Sequence, residues 1–353
     1  MRPKIAVVLF NLGGPDRPEA IKPFLLNLFR DKAILRVPGP IRPVLARIIA
    51  RARLKPATEN YALLGGRSPL LDLTRQQASA LEAALPDCDA KCFIAMRYWH
   101  PFSLEAAKAV KAWGADQIVL LPLYPQFSTT TTGSSLTAWH EAAARANLAV
   151  TTTTLCCYPT DDAYATATAS LLSKAYHQAS SELDPATGLR VLFSAHGLPE
   201  TIVKAGDPYQ WQVEQTVASV LASWNQPRVD WAVCYQSRAT PQRWIEPSTE
   251  TEIQRAAADG KAVLVVPIAF VSEHSETLVE LDVEYRELAT KLGVPGYFRV
   301  PTQNADPGFI ASLASLVRRA MKHGAGLTSH TGDRYCERSH ADCPYSTGAG
   351  CDA

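Results

Sequence analysis

The chain has 353 residues, 47% of them hydrophobic, and its 35 lysines and arginines balance 34 aspartates and glutamates to a net charge of +1. This length exceeds that of most single domains, so two units sharing a large core are expected. The balanced charge gives no global electrostatic reason to bind nucleic acid or acidic polymers. Any partner must therefore be selected by local chemistry.

The amino-terminal segment reads as a strand and not as a signal peptide. Its apolar run Ile5 to Phe10 is short and meets Asn-Leu-Gly-Gly-Pro where a cleavage site would carry small residues. The longest apolar run, from Ala262 to Val271, is interrupted by Pro267 and falls short of the roughly 18 residues of a membrane span. We therefore expect a cytoplasmic protein whose membrane contact, if it has one, is peripheral and at the inner face.

Apolar runs rich in Val, Ile and Leu alternate with amphipathic segments along the chain. Such near-continuous apolar strands are typical of parallel sheets covered on both faces, so the sequence predicts an α/β fold. The predicted strands are 5–10, 92–96, 117–123, 189–193, 231–235 and 261–268. The predicted helices are 72–84, 103–113, 133–144, 161–178, 209–223 and 307–323.

The chain contains a weak internal repeat. Residues 7–15 resemble 191–199, each a strand running into a Gly and Pro turn, and 118–125 resemble 263–268. Two similar halves are expected, namely residues 1–180 and 181–323, followed by a tail at 324–353. The first half is longer between the matching prolines, which indicates an inserted element.

Residues 20–55 are the predicted insertion. They combine many apolar side chains with Arg36, Arg42, Arg47 and Arg51, and prolines are expected to break the segment into short pieces. Apolar and basic residues together suit a lip that meets a membrane surface or an amphipathic anionic ligand. An ordinary amphipathic helix pair packed on the core is the structural alternative.

An acidic row follows the apolar strand 261–268. On a helix, Glu273, Glu276, Glu280 and Glu284 lie at intervals of three, four and four residues, which places all four carboxylates on one face. Acids in a first turn complement the helix dipole, but the last two lie beyond that turn. Ligands of open α/β sheets bind at the carboxyl ends of strands, and the row begins there.

Like charges at this spacing repel one another. Between Lys261 and Arg286 the only basic side chain is His274. The repulsion must therefore be offset by a bound cation, by protons passing along the row, or by solvation alone. We expect desolvation to raise the pKa values of these carboxyls and to help proton transfer near neutral pH.

A histidine stands at the end of another predicted strand. In Phe193-Ser-Ala-His-Gly-Leu-Pro, His196 directly follows an apolar run and precedes a Gly and Pro turn. A lone histidine is more often structural than catalytic. At a strand end, in the half that supplies the acids, it is a candidate general base or metal ligand.

The first half offers segments that are expected to face these groups. Arg97 and Tyr98 follow one strand, and Tyr124 with the hydroxyl-rich turn 128–135 follows another. The glycines of Asn-Leu-Gly-Gly-Pro do not form a nucleotide-binding motif. Trp244 lies in a loop after a strand, where it either packs the loop or stacks on a planar ligand.

The tail carries three closely spaced cysteines, Cys336, Cys343 and Cys351. Because no secretory signal is predicted, thiols or metal ligands are favoured over disulfides. A four-thiolate site needs a fourth donor, which Cys156 or Cys157 would supply. An iron-sulfur cluster, loosely spaced zinc and unliganded thiols are the alternatives.

Seven motifs between residues 4 and 323 together resemble the ferrochelatase family, which inserts ferrous iron into a porphyrin at the end of haem synthesis. In chain order they are NLGGP, LLGGRSPL, MRYWHP, LPLYPQFSTTTTGSS, SAHGLPE, YQSR and FVSEHSETLVELDVEY. The resemblance implies two Rossmann-like, doubly wound domains, with the active cleft between them and a hydrophobic lip at its mouth.

The resemblance also implies roles for single residues. It places His196 and Glu276 at the centre. From the chemistry of metalation we expect His196 to accept pyrrole protons with Glu276 as its partner, or both to bind Fe²⁺, and we expect Glu273, Glu280 and Glu284 with His274 to form an acidic relay. Leu12 stands where some members carry a metal-facing methionine or tyrosine, and leucine cannot coordinate a metal. The implied porphyrin contacts are Arg53, Ser68, Arg97, Tyr98, Tyr124 and Trp244.

Some family members hold a 2Fe-2S cluster on a cysteine tail and one internal cysteine. The animal pattern has its internal cysteine where this chain has Thr129, so the resemblance implies Cys156 or Cys157 in that role. The implied substrates are protoporphyrin IX and ferrous iron. The rival functions are a chelatase for coproporphyrin or for cobalt and sirohydrochlorin, and a non-catalytic tetrapyrrole carrier.

Overall fold

Two parallel β-sheets with helices between their strands form the framework of the protein. The structure is a computed structural model that describes residues 3–226, 228–238 and 242–347. The first sheet has strand order β2-β1-β3-β4-β9 and the second has β6-β5-β7-β8. The strands are β1 Lys4–Asn11, β2 Asp89–Met96, β3 Gln117–Pro122, β4 Thr151–Leu155, β5 Leu189–His196, β6 Asp230–Gln236, β7 Ala262–Pro267, β8 Tyr297–Arg299 and β9 Gly326–Thr328.

Helices connect these strands, as parallel pairing requires. The α-helices are α1 Ile21–Arg30, α2 Arg42–Leu63, α3 Leu70–Ala83, α4 Ser103–Trp113, α5 Thr132–Ala146, α6 Asp162–Glu182, α7 Glu200–Lys204, α8 Tyr209–Trp224, α9 Thr249–Ala258, α10 Tyr285–Lys291, α11 Pro307–His323 and α12 Pro344–Thr347. A short 3₁₀ helix spans Pro18–Ala20, and a π-helix spans Glu276–Glu284.

The two sheets repeat one topology. In each, the first strand of the half is flanked by the second and third, and the fourth follows outside the third. All strand pairs of both sheets are parallel, among them β1 with β3 and β5 with β7. The predicted α/β fold with two similar doubly wound halves is confirmed.

Continuous apolar strands explain why both faces of each sheet are covered. Every residue from Ile5 to Leu9 is fully buried, as are Val263 to Val265 in the second sheet. Fully burying such a side chain contributes about 1.5–3 kcal/mol, so each of these strand residues stabilises the core. The sheets are therefore rigid supports for the loops at their ends.

The chain returns to the first sheet after completing the second. Helix α11 packs its Phe309, Leu313 and Leu316 into the core of the first sheet, and β9 pairs with β4 at that sheet's edge. The grouping of elements by sheet thus differs from the predicted sequence halves, which assign 307–323 to the second unit and begin the tail at 324.

A buried glutamine joins the two sheets. Gln77 of α3 donates to the carbonyls of Val271 and Asn304, at 3.2 Å and 3.0 Å, and accepts from the hydroxyl of Ser272 at 3.1 Å. Because Gln77 is fully buried, losing any of these bonds would leave a polar group unsatisfied. The loop that precedes the π-helix is thereby fixed against the first domain.

The predicted insertion forms a helical lip, defined here as residues 21–63. Its longer helix, α2, has 22 residues with Pro56 inside it, so the prediction of short pieces is wrong for this part. Ile41, Val44 and Ile48 at its start are 55%, 55% and 60% exposed. Neither α2 nor any other helix in the described part of the chain is long and apolar enough to cross a bilayer.

Candidate active site

The carboxyl ends of the central strands converge on the candidate site, as expected for sheets of this type. Strand β5 ends at His196 and β6 at Gln236. Strand β7 ends at Pro267 and leads through a short loop to the π-helix that begins at Glu276. The predicted acidic row and the predicted histidine therefore meet at one edge of the second sheet.

His196 and Glu276 form the centre of this site. The Nε2 atom of His196 lies 3.8 Å from Oε1 of Glu276, and Nε2 of His274 lies 3.5 Å from Oε2 of the same carboxylate. His196 is 35% exposed and Glu276 is 28% exposed, whereas His274 is nearly buried at 9%. The glutamate thus stands between an accessible imidazole and a buried one.

The acidic segment is a π-helix where the sequence predicts an α-helix. Its last turn is closed by the Tyr285 N–H donating to the carbonyl of Glu280, five residues earlier. Because π-helices are rare and recur at functional sites, this local geometry supports the assignment of the site. Period and spacing alone could not distinguish the two helix types.

The predicted acidic row is divided among different partners. Glu273 is 9% exposed and accepts from Arg299 Nη1 at 2.9 Å, from the Thr302 N–H at 3.0 Å and from the Thr277 hydroxyl at 2.5 Å. Burial by itself would raise the pKa of Glu273, but the positive charge of Arg299 lowers it. This carboxylate is a structural anion, so its predicted place in a relay lacks geometric support.

Arg299 is the basic residue that the sequence pattern missed. It also binds both oxygens of Asp282 at 2.7 Å. Arg299 therefore links Asp282 of the π-helix to Glu273, which lies three residues before that helix begins. Arg299 lies on β8, beyond the stretch between Lys261 and Arg286 in which His274 is the only basic side chain.

Glu280 is held by the YQSR motif. Its carboxylate accepts from Gln236 Nε2 at 2.9 Å, from the Ser237 N–H at 2.8 Å and from the Ser237 hydroxyl at 2.5 Å. Ser237 adopts a φ of 65°, a left-handed conformation that costs a non-glycine residue about 1–3 kcal/mol. In this conformation the N–H and the hydroxyl of Ser237 both donate to the Glu280 carboxylate.

Glu284, the last of the row, is exposed and accepts from Asn60 Nδ2 of the lip at 3.2 Å. A hydrogen bond between an exposed amide and an exposed carboxylate contributes little to stability. The π-helix therefore runs from a half-buried carboxylate at Glu276 to a solvent-facing one at Glu284.

The environments of Glu276 and Glu280 drive their acidities apart. Burial would raise the pKa of Glu276, but the charge of His196 and the hydrogen bond from His274 lower it to about 2. Burial raises the pKa of Glu280, and the charge of Glu276 raises it further. Desolvation acts to raise the pKa of all three carboxyls, as expected, but at Glu276 and Glu273 neighbouring charges and hydrogen bonds outweigh it, so that of the three only Glu280 has a raised pKa.

On the first-domain side, Arg97 is oriented by a buried acid that the sequence analysis missed. Its Nη2 lies 2.8 Å from Asp31 Oδ2, and its Nε donates to Ser134 at 2.6 Å. Tyr98 donates to the same Asp31 oxygen at 2.8 Å and is fully buried. Tyr98 therefore supports Arg97 from behind, and in this structure it presents no surface to a ligand.

A basic recess of about 470 Å³ opens beside Arg97. Four further cations from the lip surround it, and Arg36 also donates to the Thr129 hydroxyl at 3.0 Å. The lining cations are Arg30, Lys32, Arg36, Arg42 and Arg97. Their density suits a negatively charged group, although Asp31 and Glu141 also line the recess.

The loop after β1, which contains Gly14, packs closely against Ser68, one of the predicted porphyrin contacts. A side chain at Gly14 would lie 2.5 Å from both Cβ and Oγ of Ser68, so only glycine fits there. Burial raises the pKa of the nearby Tyr61 to about 12, and its hydroxyl hydrogen-bonds with Ser275 beside the acidic row. Tyr61 thus links the lip to the π-helix, a contact that the sequence did not reveal.

The other predicted contacts occupy different environments. Tyr124 is half-buried, and burial raises its pKa well above the ordinary value. Trp244 is 8% exposed, and its ring centroid lies 6.5 Å from that of His196. Arg53 lies exposed on α2, and Leu12 is partly buried in the lip cluster.

Thiols from two distant parts of the chain meet just beyond the end of strand β4. The Sγ atoms of Cys156 and Cys157 lie 3.6 Å apart, and Gln212 Nε2 donates to Cys336 Sγ at 3.0 Å. Hydrogen bonding with Cys156 raises the pKa of the Cys157 thiol, which also contacts Cys336. Cys343 in turn hydrogen-bonds with Cys336.

These thiols are not arranged as a formed metal site. Within residues 3–226, 228–238 and 242–347, no group of three or more His, Cys, Asp or Glu side chains has the geometry to hold a metal ion. The third predicted tail ligand, Cys351, lies outside the described residues. Four of the cysteines that the structure describes, Cys156, Cys157, Cys336 and Cys343, are buried here and supply thiol sulfur, the donor that iron-sulfur clusters require.

Two repeated parallel sheets, with a histidine and a carboxylate facing each other at strand ends, define a two-domain α/β protein of the chelatase type. The solved structure of the sirohydrochlorin chelatase SirB from Bacillus subtilis subspecies spizizenii in complex with cobalt shares this fold. It covers 91% of this chain and 96% of its own, with a TM-score of 0.51 at 12% identity.

Sequence comparison identifies the particular family. The ferrochelatase family model matches residues 4–321. Ferrochelatase from Caulobacter vibrioides (strain NA1000 / CB15N) is 52% identical over 353 residues, 99% of each chain. Ferrochelatase from Hyphomonas neptunium is 49% identical over 349 residues, covering 97% of this chain and 94% of its own. The chain belongs to the ferrochelatase family.

Proposed function

We propose that the protein inserts Fe²⁺ into protoporphyrin IX, a step of haem synthesis that releases two pyrrole protons. Membership of the ferrochelatase family supports the reaction class, a metal chelatase among the lyases. The observation that carries the proposal is the pairing of His196 with Glu276 at 3.8 Å, with a buried His274 behind the carboxylate. Such a pair can accept a proton and keep the resulting charge stable.

His196 is proposed as the acceptor of pyrrole protons. Glu276 remains ionised at neutral pH, because its pKa lies at about 2, and its negative charge stabilises the imidazolium that forms when His196 takes a proton. Glu280, with its raised pKa, is the carboxylate suited to hold a proton next. Neighbouring groups whose acidities are driven apart are the usual basis for separate acid and base roles.

Both central residues also have the chemistry to receive the incoming iron. Imidazole nitrogen and carboxylate oxygen are common ligands of Fe²⁺, and the two side chains lie close enough to share one ion. Iron affinity measured without porphyrin in His196→Ala and Glu276→Gln tests this role. If neither variant loses affinity, the two residues handle protons only.

The porphyrin is proposed to lie between the two domains. Arg97, oriented by Asp31, and the basic recess beside it suit the propionates of the substrate. Tyr124, Ser68, Arg53 and Trp244 remain proposed contacts with the ring or its edge. We assign Tyr98 to the support of Arg97, because its hydroxyl is already engaged with Asp31.

An anaerobic assay of ferrous insertion into protoporphyrin tests the function. General acid-base catalysis contributes about 10²–10⁴-fold to rate, so we expect His196→Ala to lower kcat by that amount while the melting temperature is preserved. Cobalt with sirohydrochlorin and ferrous iron with coproporphyrin serve as rival substrates. Faster insertion into either, or tight protoporphyrin binding without insertion, would contradict the proposal.

We further propose that the buried thiols hold a 2Fe-2S cluster, with Cys336, Cys343 and Cys351 as tail ligands. Between the two internal candidates, Cys157 is favoured because its thiol contacts Cys336. The cluster would supply a redox-active, chromophoric centre that cross-links the tail to the first domain. The residues of this chain contribute buried sulfur and, from Gln212, one N–H donor to sulfur.

The lip is proposed to meet a membrane surface from the cytoplasmic side. Ile41, Val44 and Ile48 recur along one side of α2 and are all more than half exposed. Arg47 and Arg51 are exposed on the same helix. Apolar side chains flanked by arginines are typical of helices that lie in the interface of an anionic bilayer.

A further inference from the structure

The hydroxyl of Tyr285 lies between two carboxylates. Its oxygen is 3.2 Å from Glu280 Oε1 and 3.1 Å from Glu250 Oε1. Tyr285 begins α10, directly after the π-helix, and is 4% exposed within the core of the second domain. Its ring is therefore fixed, and the hydroxyl cannot leave the two acids without repacking that core.

One phenol proton cannot serve both carboxylates. If Glu280 and Glu250 were both ionised, one of the two short contacts would bring two proton-free oxygens together. The arrangement is satisfied when one carboxyl is protonated and donates to the tyrosine oxygen, while the tyrosine donates to the other. The geometry is that of a shared proton, which can rest on either acid.

The two acids differ in what stabilises their charge. Glu280 lies near ionised Glu276, which disfavours a second negative charge and raises its pKa together with burial. Glu250 lies in the first turn of α9, whose N-cap Ser248 accepts from the Thr251 N–H at 3.1 Å. The partial positive charge at a helix N-terminus favours an anion there. A shared proton therefore rests preferentially on Glu280, and it reaches Glu250 by transfer through the Tyr285 hydroxyl that contacts both acids.

No comparable link leads from Glu280 along the predicted row. Within the part of the chain that the structure describes, Glu280 makes hydrogen bonds with Gln236, Ser237 and Tyr285 but not with Glu284. Glu284 is bonded to Asn60 on the surface. The hydrogen-bonded path from the site therefore turns aside at Glu280.

We propose that Tyr285 and Glu250 form the exit branch for protons that leave the site through Glu280. This inference rests on the proposed function. It gives Tyr285 and Glu250 a role in that reaction as positioning and relay residues that act through Glu280. Glu250 is half-buried, and within the described residues its Oε2 atom is buried without a hydrogen-bond partner. The branch therefore ends on a partly exposed residue of α9 and does not pass along the whole π-helix.

The transfer balances without charge on the tyrosine. The protonated Glu280 carboxyl donates its proton to Tyr285 Oη while the Tyr285 O–H proton moves to the Glu250 carboxylate. One O–H bond forms and one breaks at the tyrosine oxygen, and the net result is one proton moved from Glu280 to Glu250. Burial and the two neighbouring carboxylates raise the pKa of Tyr285, so it relays as a neutral hydroxyl.

The test is a single-turnover measurement of two signals in weakly buffered solution. Porphyrin metalation is followed by absorbance and proton release by a pH-indicator dye, in wild type, Tyr285→Phe and Glu250→Gln. We expect proton release to lag behind metalation in both variants and kcat to fall roughly tenfold with KM unchanged. Because the two residues lie in series, the double variant should be no slower than either single one.

Matched controls are available in the same region. Tyr297→Phe removes a buried hydroxyl that donates to a backbone carbonyl of the π-helix, that of Leu281, at 2.6 Å. Glu252→Gln removes an acid from the same first turn of α9. We expect neither control to separate proton release from metalation, which distinguishes a relay from a general effect on folding.

The outcomes separate the two proposals. Synchronous proton release and metalation in both Tyr285→Phe and Glu250→Gln, with wild-type kcat, would refute the exit branch alone. Additive losses in the double variant would also refute it, because independent effects are not a series path. A wild-type protein that fails to metalate porphyrin would refute the proposed function and the branch together.

Discussion

Replacing Arg299 by leucine should destabilise the second domain more than any other single loss of charge among the ion pairs described. Arg299 is 10% exposed and pairs with Glu273, which is nearly buried, and with both oxygens of Asp282. The substitution removes the cation and leaves two acids. Glu273 keeps its hydrogen bonds from Thr277 and Thr302 but loses the charge that lowers its pKa.

The size of the effect follows from burial. Removing one partner of a buried ion pair costs about 3–5 kcal/mol, because the other charge stays buried without compensation. At roughly 2–4 °C per kcal/mol for a chain of a few hundred residues, the melting temperature should fall by about 6–20 °C. The exposed pair Arg318–Asp87, at 38% and 56% exposure, provides the contrast, since such pairs contribute about 0–1 kcal/mol.

Differential scanning fluorimetry of Arg299→Leu and Arg318→Leu, at one pH and one scan rate, measures this difference. Adding Glu273→Gln to Arg299→Leu should recover part of the loss, because it removes the stranded charge. Equal shifts in the two arginine variants, or no recovery in the double variant, would refute the view that the buried charge of Glu273 determines the cost.

Three further predictions follow from the same structure. Glu276 has its folded pKa lowered to about 2 from 4.5 and His274 has its pKa raised above 6.5, so their mutual stabilisation should be greatest between these ordinary values. The melting-temperature difference between wild type and Glu276→Gln should therefore shrink as pH falls toward 2 and as it rises past the folded pKa of His274. Cys157→Ser should abolish visible cluster absorption in anaerobically purified protein, while Cys156→Ser retains it. The reverse result would make Cys156 the internal ligand of the cluster. Ile48→Ser should change the free energy of unfolding by no more than about 0.5 kcal/mol yet reduce sedimentation with anionic vesicles, an effect that Leu292→Ser outside the lip should lack.

The fold was accessible from the sequence where one signal dominated. Strands buried on both faces are uniformly apolar, and the repeated Gly and Pro turns indicate two similar halves. Strand β4 was missed because it reads Thr-Thr-Thr-Thr-Leu and lies next to the sheet edge, where its pattern resembles a polar loop. The three-residue strands β8 and β9 are too short to carry a period.

The site was accessible where chemistry follows a strand end, as at His196 and Glu276. What the sequence concealed were partners brought by tertiary contact. Arg299 neutralises Glu273 from another strand, Asp31 orients Arg97 from the lip, and Glu250 reaches Tyr285 from α9. Spacing gives the face of a helix, but it does not reveal which charge of a distant segment will lie against that face.

Strand β9 gives the tail a further significance. By pairing with β4 from Thr153 to Leu155, it covers the outer edge of the first sheet, where unpaired N–H and C=O groups would otherwise template pairing with another chain. Beyond it, Tyr335 and His340 both lie against the ring of Trp211 on α8, with centroids 5.2 Å away. The cysteine segment is thus attached to both domains. A chain cut before residue 326 would lose the tail cysteines and would also expose the unpaired edge of β4, which favours aggregation.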